Sequence, residues 1–279
     1  MSQSGSVPPV GRQQGCQGDA DVIDFEIKRQ EMQFVEIELD PGESTIAEAG
    51  AMMFKNVAIH MDTIFGDGPK RQCGILGSLM GAGKRLLSGE DLFMTVFTHQ
   101  GQGMARVAFS APYPGTVIPF HLANLGGSPI CQKEAFLCAA KGVSVGLHFQ
   151  KRIMTGLFGG EDFIVQKLEG NGFAFIHVGG TILERELGPG EDLHVDTGCV
   201  AAMTSTVEFE IVRAGSPKPM IFGGEGVFFA HLRGPGKVWL QSLPFSRLAG
   251  RILANAGPAG GTGEGSVLGP FGDIFDGDN

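Results

Sequence analysis

The fold of this chain is decided by residues 160–178, GEDFIVQKLEGNGFAFIHV, because two similar stretches occur elsewhere in the sequence. The first is GEDLFMTVFTHQGQGMARVAF at residues 89–109, and the other is GEGVFFAHLRGPGKVWLQS at residues 224–242. In each stretch a run of β-forming residues leads into an x-G-x-G turn and a second such run follows. This pattern is typical of a β-hairpin. The sequence therefore predicts an all-β fold with three hairpins.

A second motif precedes the outer two hairpins. It is LDPGESTIAEAGAMM from Leu39 and LGPGEDLHVDTGCVA from Leu187, with a degenerate version, GGSPICQKEAFLCAA, from Gly126. Pro-Gly suits the centre of a type II turn, where glycine takes the position with positive φ. Self-similarity at this spacing predicts three tandem β-hairpin or sandwich repeats, at residues 22–110, 111–182 and 183–245.

The two ends of the chain have a different composition. Residues 1–21 are rich in Gly, Ser, Gln and Pro, and residues 257–279 are rich in Gly and acidic residues without Lys or Arg. Such segments bury too little apolar surface to offset ordering entropy, so we expect two disordered tails. Between the third repeat and the second tail, Ser246 as N-cap and Gly257 as a stop predict one short helix at residues 246–256.

Composition limits the class of protein. The chain has 279 residues with 45 Gly and 15 Pro, and a formal net charge of -9. An acidic chain repels phosphate backbones, so we expect no nucleic-acid partner. Five Cys form an odd set without C-x-x-C, which favours a reducing compartment over disulfides or structural zinc. With neither a signal pattern nor a membrane span legible, we expect a cytoplasmic protein, with the periphery of the inner membrane as an additional location.

The first repeat carries a Gly-rich insertion at residues 66–89. The distance between the two motif glutamates is 47 residues there (43 to 90) but 34 in the third repeat (191 to 225). The insertion fails as a phosphate-binding loop, because Ser78 stands where the first Gly is needed and Arg85 follows the lysine. We predict an interaction loop that packs on a subunit or a membrane surface, with a plain surface loop as the alternative. Its candidate contact residues are Ile75, Leu76, Leu79, Met80, Lys84 and Arg85.

Recurring glutamates and glycines are predicted to be structural. A carboxylate beside a turn can accept its N–H groups, and three similar turns need three such acids. General acid and base roles would instead require different environments in each copy. The predicted turn residues are Gly42, Glu43, Glu90, Glu161, Gly190, Glu191 and Glu225.

No catalytic, cofactor or metal motif is legible in the sequence. Ser-His-Asp and G-x-S-x-G arrangements are missing, and the seven His are never within five residues of each other. We therefore expect no enzyme and no cofactor. A cupin-like metal or small-ligand site assembled from distant strands stays open as an alternative.

Three strings carry a family resemblance: GEGVFFAHLRGPGKVWLQSLPFSRLAGRI at 224–252, APYPGTVIPFHL at 111–122 and GILGSLMGAGKRLLSGED at 74–91. Residues 24–254 resemble an uncharacterised, widespread bacterial family whose eukaryotic relatives are the "altered inheritance of mitochondria" inner-membrane biogenesis proteins. The resemblance implies tandem β units like those of the trp RNA-binding attenuation protein (TRAP), a homotrimer, and a part in membrane organisation. It implies no reaction and no catalytic residues.

The function expected from the sequence is that of a non-enzymatic, homo-oligomeric scaffold or interaction protein. Its expected partners are copies of itself and a protein or membrane surface. A small-ligand-binding or metal-binding β-barrel is the first alternative, and a TRAP-like RNA-binding protein is the second, which the chain's acidity disfavours.

Overall fold

A computed structural model describes residues 19–28, 32–65, 93–155, 159–213 and 228–255. This part of the chain is nearly all β, as predicted, with a single α-helix near its end. The insertion 66–89 lies outside the described residues, and so does nearly all of the two predicted tails.

After strand β1, Asp24–Lys28, the other strands fall into three sets of six along the chain. The first set is β2 Phe34–Leu39, β3 Ser44–Glu48, β4 Met52–Lys55, β5 Ile59–Phe65, β6 Phe93–His99 and β7 Ala105–Ser110. The second is β8 Gly115–His121, β9 Ile130–Gln132, β10 Phe136–Ala140, β11 Ser144–Thr155, β12 Gly159–Glu169 and β13 Phe173–Gly179. The third is β14 Ile182–Leu187, β15 Asp192–Asp196, β16 Val200–Met203, β17 Glu208–Arg213, β18 Phe228–Arg233 and β19 Gly236–Gln241.

Helix α1, Phe245–Asn255, begins one residue before the predicted helix. Residues 246–279 form a unit of the chain separate from residues 1–245.

Strand pairing follows one scheme in all three sets. The sixth strand pairs with the first and third strands of its set, and the fifth pairs with the second and fourth. Each set is therefore split between two sheets. Tandem TRAP-like copies would produce this scheme, but the division of the chain into such copies stays a prediction.

Neighbouring sets share a sheet, because the second strand of one set pairs antiparallel with the third strand of the next. These junctions are β3 with β10 and β9 with β16. The four sheets have the orders β1-β2-β7-β4, β5-β6-β3-β10-β13-β8, β11-β12-β9-β16-β19-β14 and β15-β18-β17.

The three predicted hairpins are wrong. The strands on either side of each x-G-x-G turn, β6 and β7, β12 and β13, and β18 and β19, belong to different sheets. The chain crosses from one sheet to the facing one at these turns, and the rings of Phe97 in β6 and Phe109 in β7 meet edge to face at 5.0 Å. A hairpin turn and such a crossing both need glycine, so the local sequence does not distinguish them.

The core consists of side chains between these facing sheets. One buried cluster, which includes Phe97, Phe109 and Phe175, lies mainly in the first two sets and extends to Trp239 in the third. A second cluster lies mainly in the third set and includes Met203 and Leu232. Burial of these apolar side chains is the main stabilising term.

The predicted N-terminal tail ends earlier than residue 21. Ala20 is buried, and its N–H donates to Asn171 Oδ1 at 3.0 Å. Asp21 Oδ2 accepts a hydrogen bond from the Ser44 N–H at 2.9 Å. Gly142 is one reason that Ala20 fits, because a Cβ on this glycine would lie 2.6 Å from the Ala20 Cα. Composition alone gave no sign of this docking.

Candidate functional site

The predicted interaction loop lies outside the described residues, and this covers all of Ile75, Leu76, Leu79, Met80, Lys84 and Arg85. Its role stays a prediction.

Two of the predicted turn glutamates occupy equivalent turns. Glu43 Oε2 accepts a hydrogen bond from the Asp40 N–H at 2.9 Å, and Glu191 Oε2 accepts one from the Gly188 N–H at 3.0 Å. The preceding glycines have positive φ, 91° at Gly42 and 73° at Gly190. Glu161 lies on β12, whereas Glu90 and Glu225 lie outside the described residues.

A cavity of about 400 Å³ lies at the junction between the first two sets. We call it the junction cavity. Its polar lining residues are Glu48 at the end of β3, Ser110 at the end of β7, Tyr113, Glu134 and His177 on β13. Aromatic rings of Phe136 and Phe245 and several small residues complete the lining. Ligand sites commonly have this size and this mixture of apolar surface with a few polar groups.

His177 is the most deeply buried polar residue of the cavity wall, with 1 % of its surface exposed. Neither ring nitrogen has a hydrogen-bond partner among the described residues. Burial lowers the pKa of His177 to about 4, so the ring is neutral at pH 7. The ring meets that of Tyr113 edge to face at 4.6 Å. A Cβ at Gly115 would lie 2.5 Å from His177 Nε2, so this glycine is required for the ring to fit.

Glu48 has the most strongly shifted pKa among the carboxyl groups of the described residues. Burial raises its pKa to about 7, and the charge of Glu134 adds to the effect while Lys133 opposes it. Burial, with smaller contributions from the same two carboxylates, also raises the pKa of Tyr113 to about 12. Titratable groups with such shifts in a cavity are characteristic of functional sites.

The second junction, between β9 and β16, has equivalent residues but a different arrangement. Because β3 and β9 pair with the next set in the same register, Glu48 and Gln132 are equivalent. By the same reasoning His177 in β13 is equivalent to Gln241 in β19. Gln241 Nε2 donates to Gln132 Oε1 at 3.3 Å and to the Gly198 carbonyl at 2.8 Å. Two amides thus satisfy each other there, whereas the first junction places an acid and an imidazole beside a cavity.

A second feature of the fold concerns two strands at the edges of their sheets. The third strands of the later sets, β10 and β16, are covered by the preceding set, but β4 is an edge strand. At the opposite end, β15 is the second strand of its set and is also an edge. Within the described residues, each edge lacks the partner that its counterparts have.

The side chains of β4 show the consequence of this position. All three third strands have a β-bulge at the same place, which defines equivalent residues. These are Met52, Phe136 and Val200, then Met53, Leu137 and Ala201, then Phe54, Cys138 and Ala202. In β10 and β16 all of them are buried, whereas Met53 is 55 % exposed and its β10 counterpart Leu137 only 2 %. An apolar edge of this kind is normally covered by a partner.

Metal and thiol chemistry find little support in the described ranges. No group of three His, Cys, Asp or Glu side chains there is arranged to hold a metal ion. Cys131 is buried, and burial raises its pKa to about 12, which disfavours the nucleophilic thiolate. No helix in the described part of the chain is long and apolar enough to cross a membrane.

These observations define a class for the described part of the chain: a multi-sheet β protein with a polar cavity at one internal junction and two edge strands, β4 and β15, that each pair on one side only. A more specific assignment comes from sequence. The chain belongs to the mitochondrial biogenesis AIM24 family, whose model matches residues 25–243. This agrees with the resemblance inferred from the three sequence strings, and the family carries no known biochemical function.

The chain is similar to two streptococcal proteins. An uncharacterized protein of Streptococcus pyogenes serotype M6 is 29 % identical over 226 residues, which cover 79 % of this chain and 86 % of that protein. A crystal structure of a Streptococcus pyogenes protein matches with a TM-score of 0.63 and 23 % identity, covering 83 % of this chain and 99 % of that chain. The second likeness shows the fold alone.

Sequence reasoning missed the junction cavity. In the sequence, His177 lies beyond the x-G-x-G turn of its repeat, and Glu48 has an acidic counterpart, Asp196, in the third motif, so neither residue stands out. The available signal was the replacement of Glu48 by Gln132 in the degenerate second motif. It is legible only when the register of the strands is known.

Proposed function

We propose that the protein is a non-enzymatic, homo-oligomeric scaffold whose chains join head to tail. In this assembly β15 of one chain pairs antiparallel with β4 of the next. The observation that carries the proposal is the recurrence of one junction. The second strand of a set pairs with the third strand of the following set at β3–β10 and β9–β16, and β15 and β4 are the two strands of these types left at the ends.

The register of the proposed contact follows from the two internal junctions. Cys138 lies opposite Ala47 and Ala139 opposite Ile46. The equivalent residues place Phe54 opposite Val195 and Lys55 opposite His194. The exposed apolar side chains of β4 would then be buried as they are in β10 and β16. Full burial of an exposed apolar side chain contributes roughly 1.5–3 kcal/mol, and Met52, Met53 and Phe54, which are 36 %, 55 % and 39 % exposed, would each gain a part of that.

Charge complementarity supports the same register. Asp192 and Asp196 flank His194 on its face of β15, because side chains on a strand alternate. Lys55, opposite His194, would lie diagonally between these two carboxylates, within reach of a long side chain. The contact joins two different surfaces, so the assembly closes as a ring or grows as a filament. A ring of three chains would be the homotrimer that the family resemblance implies.

Native mass spectrometry with Phe54→Lys tests the proposal. A lysine at position 54, opposite the apolar Val195, would bury an uncompensated charge in the contact, so the variant is expected at the monomer mass of 29.4 kDa and the wild type at a multiple of it, a trimer for the closed ring. Leu183→Lys is the matched control, because Leu183 is also exposed on an edge strand, β14. This variant should form an oligomer with the same number of chains as the wild type. A monomeric wild type, or a Phe54→Lys oligomer, contradicts the proposal.

The scaffold would also need a surface for other partners. For this role we propose residues 66–89 as a contact with a protein or the membrane surface, which the apolar residues of this loop in the sequence support. Deletion of residues 67–83 should abolish sedimentation with membranes but leave the number of chains in the oligomer unchanged. Unchanged sedimentation and unchanged co-purified proteins contradict it.

A further inference from the structure

We infer that the junction cavity binds a small organic cation, a primary amine with an apolar body, whose ammonium group contacts Glu48. This binding role goes beyond the proposed scaffold and does not depend on it. The cavity is the place where the chain departs from the scheme of its own second junction.

The wall of the junction cavity contains a buried polar side chain without hydrogen bonds. His177 is almost fully buried, and its two ring nitrogens have no partner among the described residues. A buried polar group without a hydrogen bond is destabilising, and folded structures normally avoid it. Its equivalent Gln241 is satisfied through Gln132, Gly198 and the Gly179 N–H, at 2.9 Å for the last. Both nitrogens are closed to solvent in this conformation, so a polar group on a bound molecule would give His177 the partner that the protein gives Gln241 once the ring rotates towards the cavity.

The charged residues of the cavity wall favour a cation over an anion. Glu48 and Glu134 both line the cavity, and no lysine or arginine from the described part of the chain is among its lining residues. Lys133 is close enough to oppose the raised pKa of Glu48, but it is not part of the lining. An anion would therefore meet the carboxyl group of Glu48, whereas a cation would replace the solvent that this group has lost. Buried carboxylates normally acquire such a counter-charge.

Aromatic side chains form part of the cavity surface. Tyr113, Phe136 and Phe245 line the cavity together, and the rings of Tyr113 and Phe245 are 5.3 Å apart. Faces of aromatic rings attract cations and accept flat apolar groups. At about 400 Å³ the cavity has room for a ligand with one ring or a short aliphatic body. The acidic lining disfavours anionic ligands such as a nucleotide or a fatty acid, and the aromatic rings beside Glu48 fit an amine with an apolar body.

Calorimetric titration with three probes of the same shape tests the inference. The probes are phenethylamine, a cation; 2-phenylethanol, neutral; and phenylacetate, an anion. We expect phenethylamine to bind at least about tenfold more tightly than 2-phenylethanol, since a buried charge-assisted contact is worth more than about 1.4 kcal/mol. Phenylacetate should bind more weakly than either. Equal affinity for the amine and the alcohol, or no heat with the amine, overturns the inference without any variant.

Proton release identifies the carboxyl group involved. Because Glu48 is partly protonated near pH 7, an ammonium ion that binds beside it should drive a proton off. Titrations in two buffers of different ionisation enthalpy measure this release. Glu48→Gln should abolish the release and lower the amine affinity about tenfold, with little change for 2-phenylethanol. Glu208→Gln, at an exposed position on β17, should match the wild type in every titration. Unchanged release in Glu48→Gln would assign the site to another carboxyl group and overturn the inference.

Discussion

Replacement of Glu48 by glutamine should make the protein less sensitive to alkaline pH. The pKa of Glu48 is about 7 in the folded protein, against an ordinary value of 4.5. The folded state therefore binds the proton more tightly than the unfolded state does. By linkage, stability is lost as pH rises from 4.5 through about 7, because the buried carboxyl group must ionise. Glutamine has no charge to bury, and it is already the residue at the equivalent position, Gln132.

The magnitude follows from the two pKa values. One pKa unit corresponds to about 1.4 kcal/mol, so the gap between 4.5 and about 7 amounts to roughly 3 kcal/mol. Urea unfolding of both proteins at several pH values gives their free energies of unfolding. The advantage of Glu48→Gln over the wild type should grow by roughly 3 kcal/mol between about pH 4.5 and 8.5. Comparison of the two proteins cancels the other titrating groups, and Glu208→Gln should show no such trend. A difference that stays constant across this range would refute the assignment of a buried, desolvated carboxyl group.

Three further predictions concern the same region. His177→Gln should make the protein less sensitive to acid. Burial lowers the pKa of His177 to about 4, so the wild type loses stability as pH drops from 6.5 towards 4. Urea midpoints at about pH 4 and 7 measure this, and an equal loss of stability in acid for both proteins contradicts it. Gly115→Ala should destabilise the protein by at least about 1–3 kcal/mol, since its Cβ would lie 2.2 Å from the Val178 carbonyl oxygen; Gly146→Ala, with open space around the Cβ, should cost much less in the same urea assay. Cys131 and Cys138, whose thiol pKa values are raised by burial, should resist a thiol reagent until urea unfolds the chain, and prompt labelling of either in mass spectrometry of the native protein would contradict their burial.

Sequence patterns were sufficient for the all-β class, the helix near the end and the family. They were insufficient for the pairing of strands. The turns that end β6, β12 and β18 contain glycine in either a hairpin or a crossing between sheets, and only long-range packing, such as Phe97 on Phe109, selects the crossing. A local pattern therefore assigned the right strands to the wrong partners.

The junction cavity was hidden for a related reason. Glu48 and His177 lie in different sets and meet only because β3, β10 and β13 are neighbours in one sheet. Without that register, Glu48 is one acid among many and His177 an isolated histidine. The exposed edge of β4 was equally inaccessible, because Met52, Met53 and Phe54 form a short apolar run that could belong to any buried strand.

The most direct test of head-to-tail assembly is a disulfide across the proposed contact. Chains that carry Phe54→Cys and Val195→Cys separately, with different tags and with Cys16, Cys73 and Cys199 replaced by serine, are co-expressed and oxidised. Residues directly opposite in antiparallel strands have Cα atoms about 4.5–5.5 Å apart, which suits a disulfide. Head-to-tail pairing predicts a covalent dimer of the two tagged chains, and far less of it when Asp192→Cys replaces Val195→Cys. The absence of the inter-chain product, or a disulfide within one chain that carries both cysteines, would contradict it.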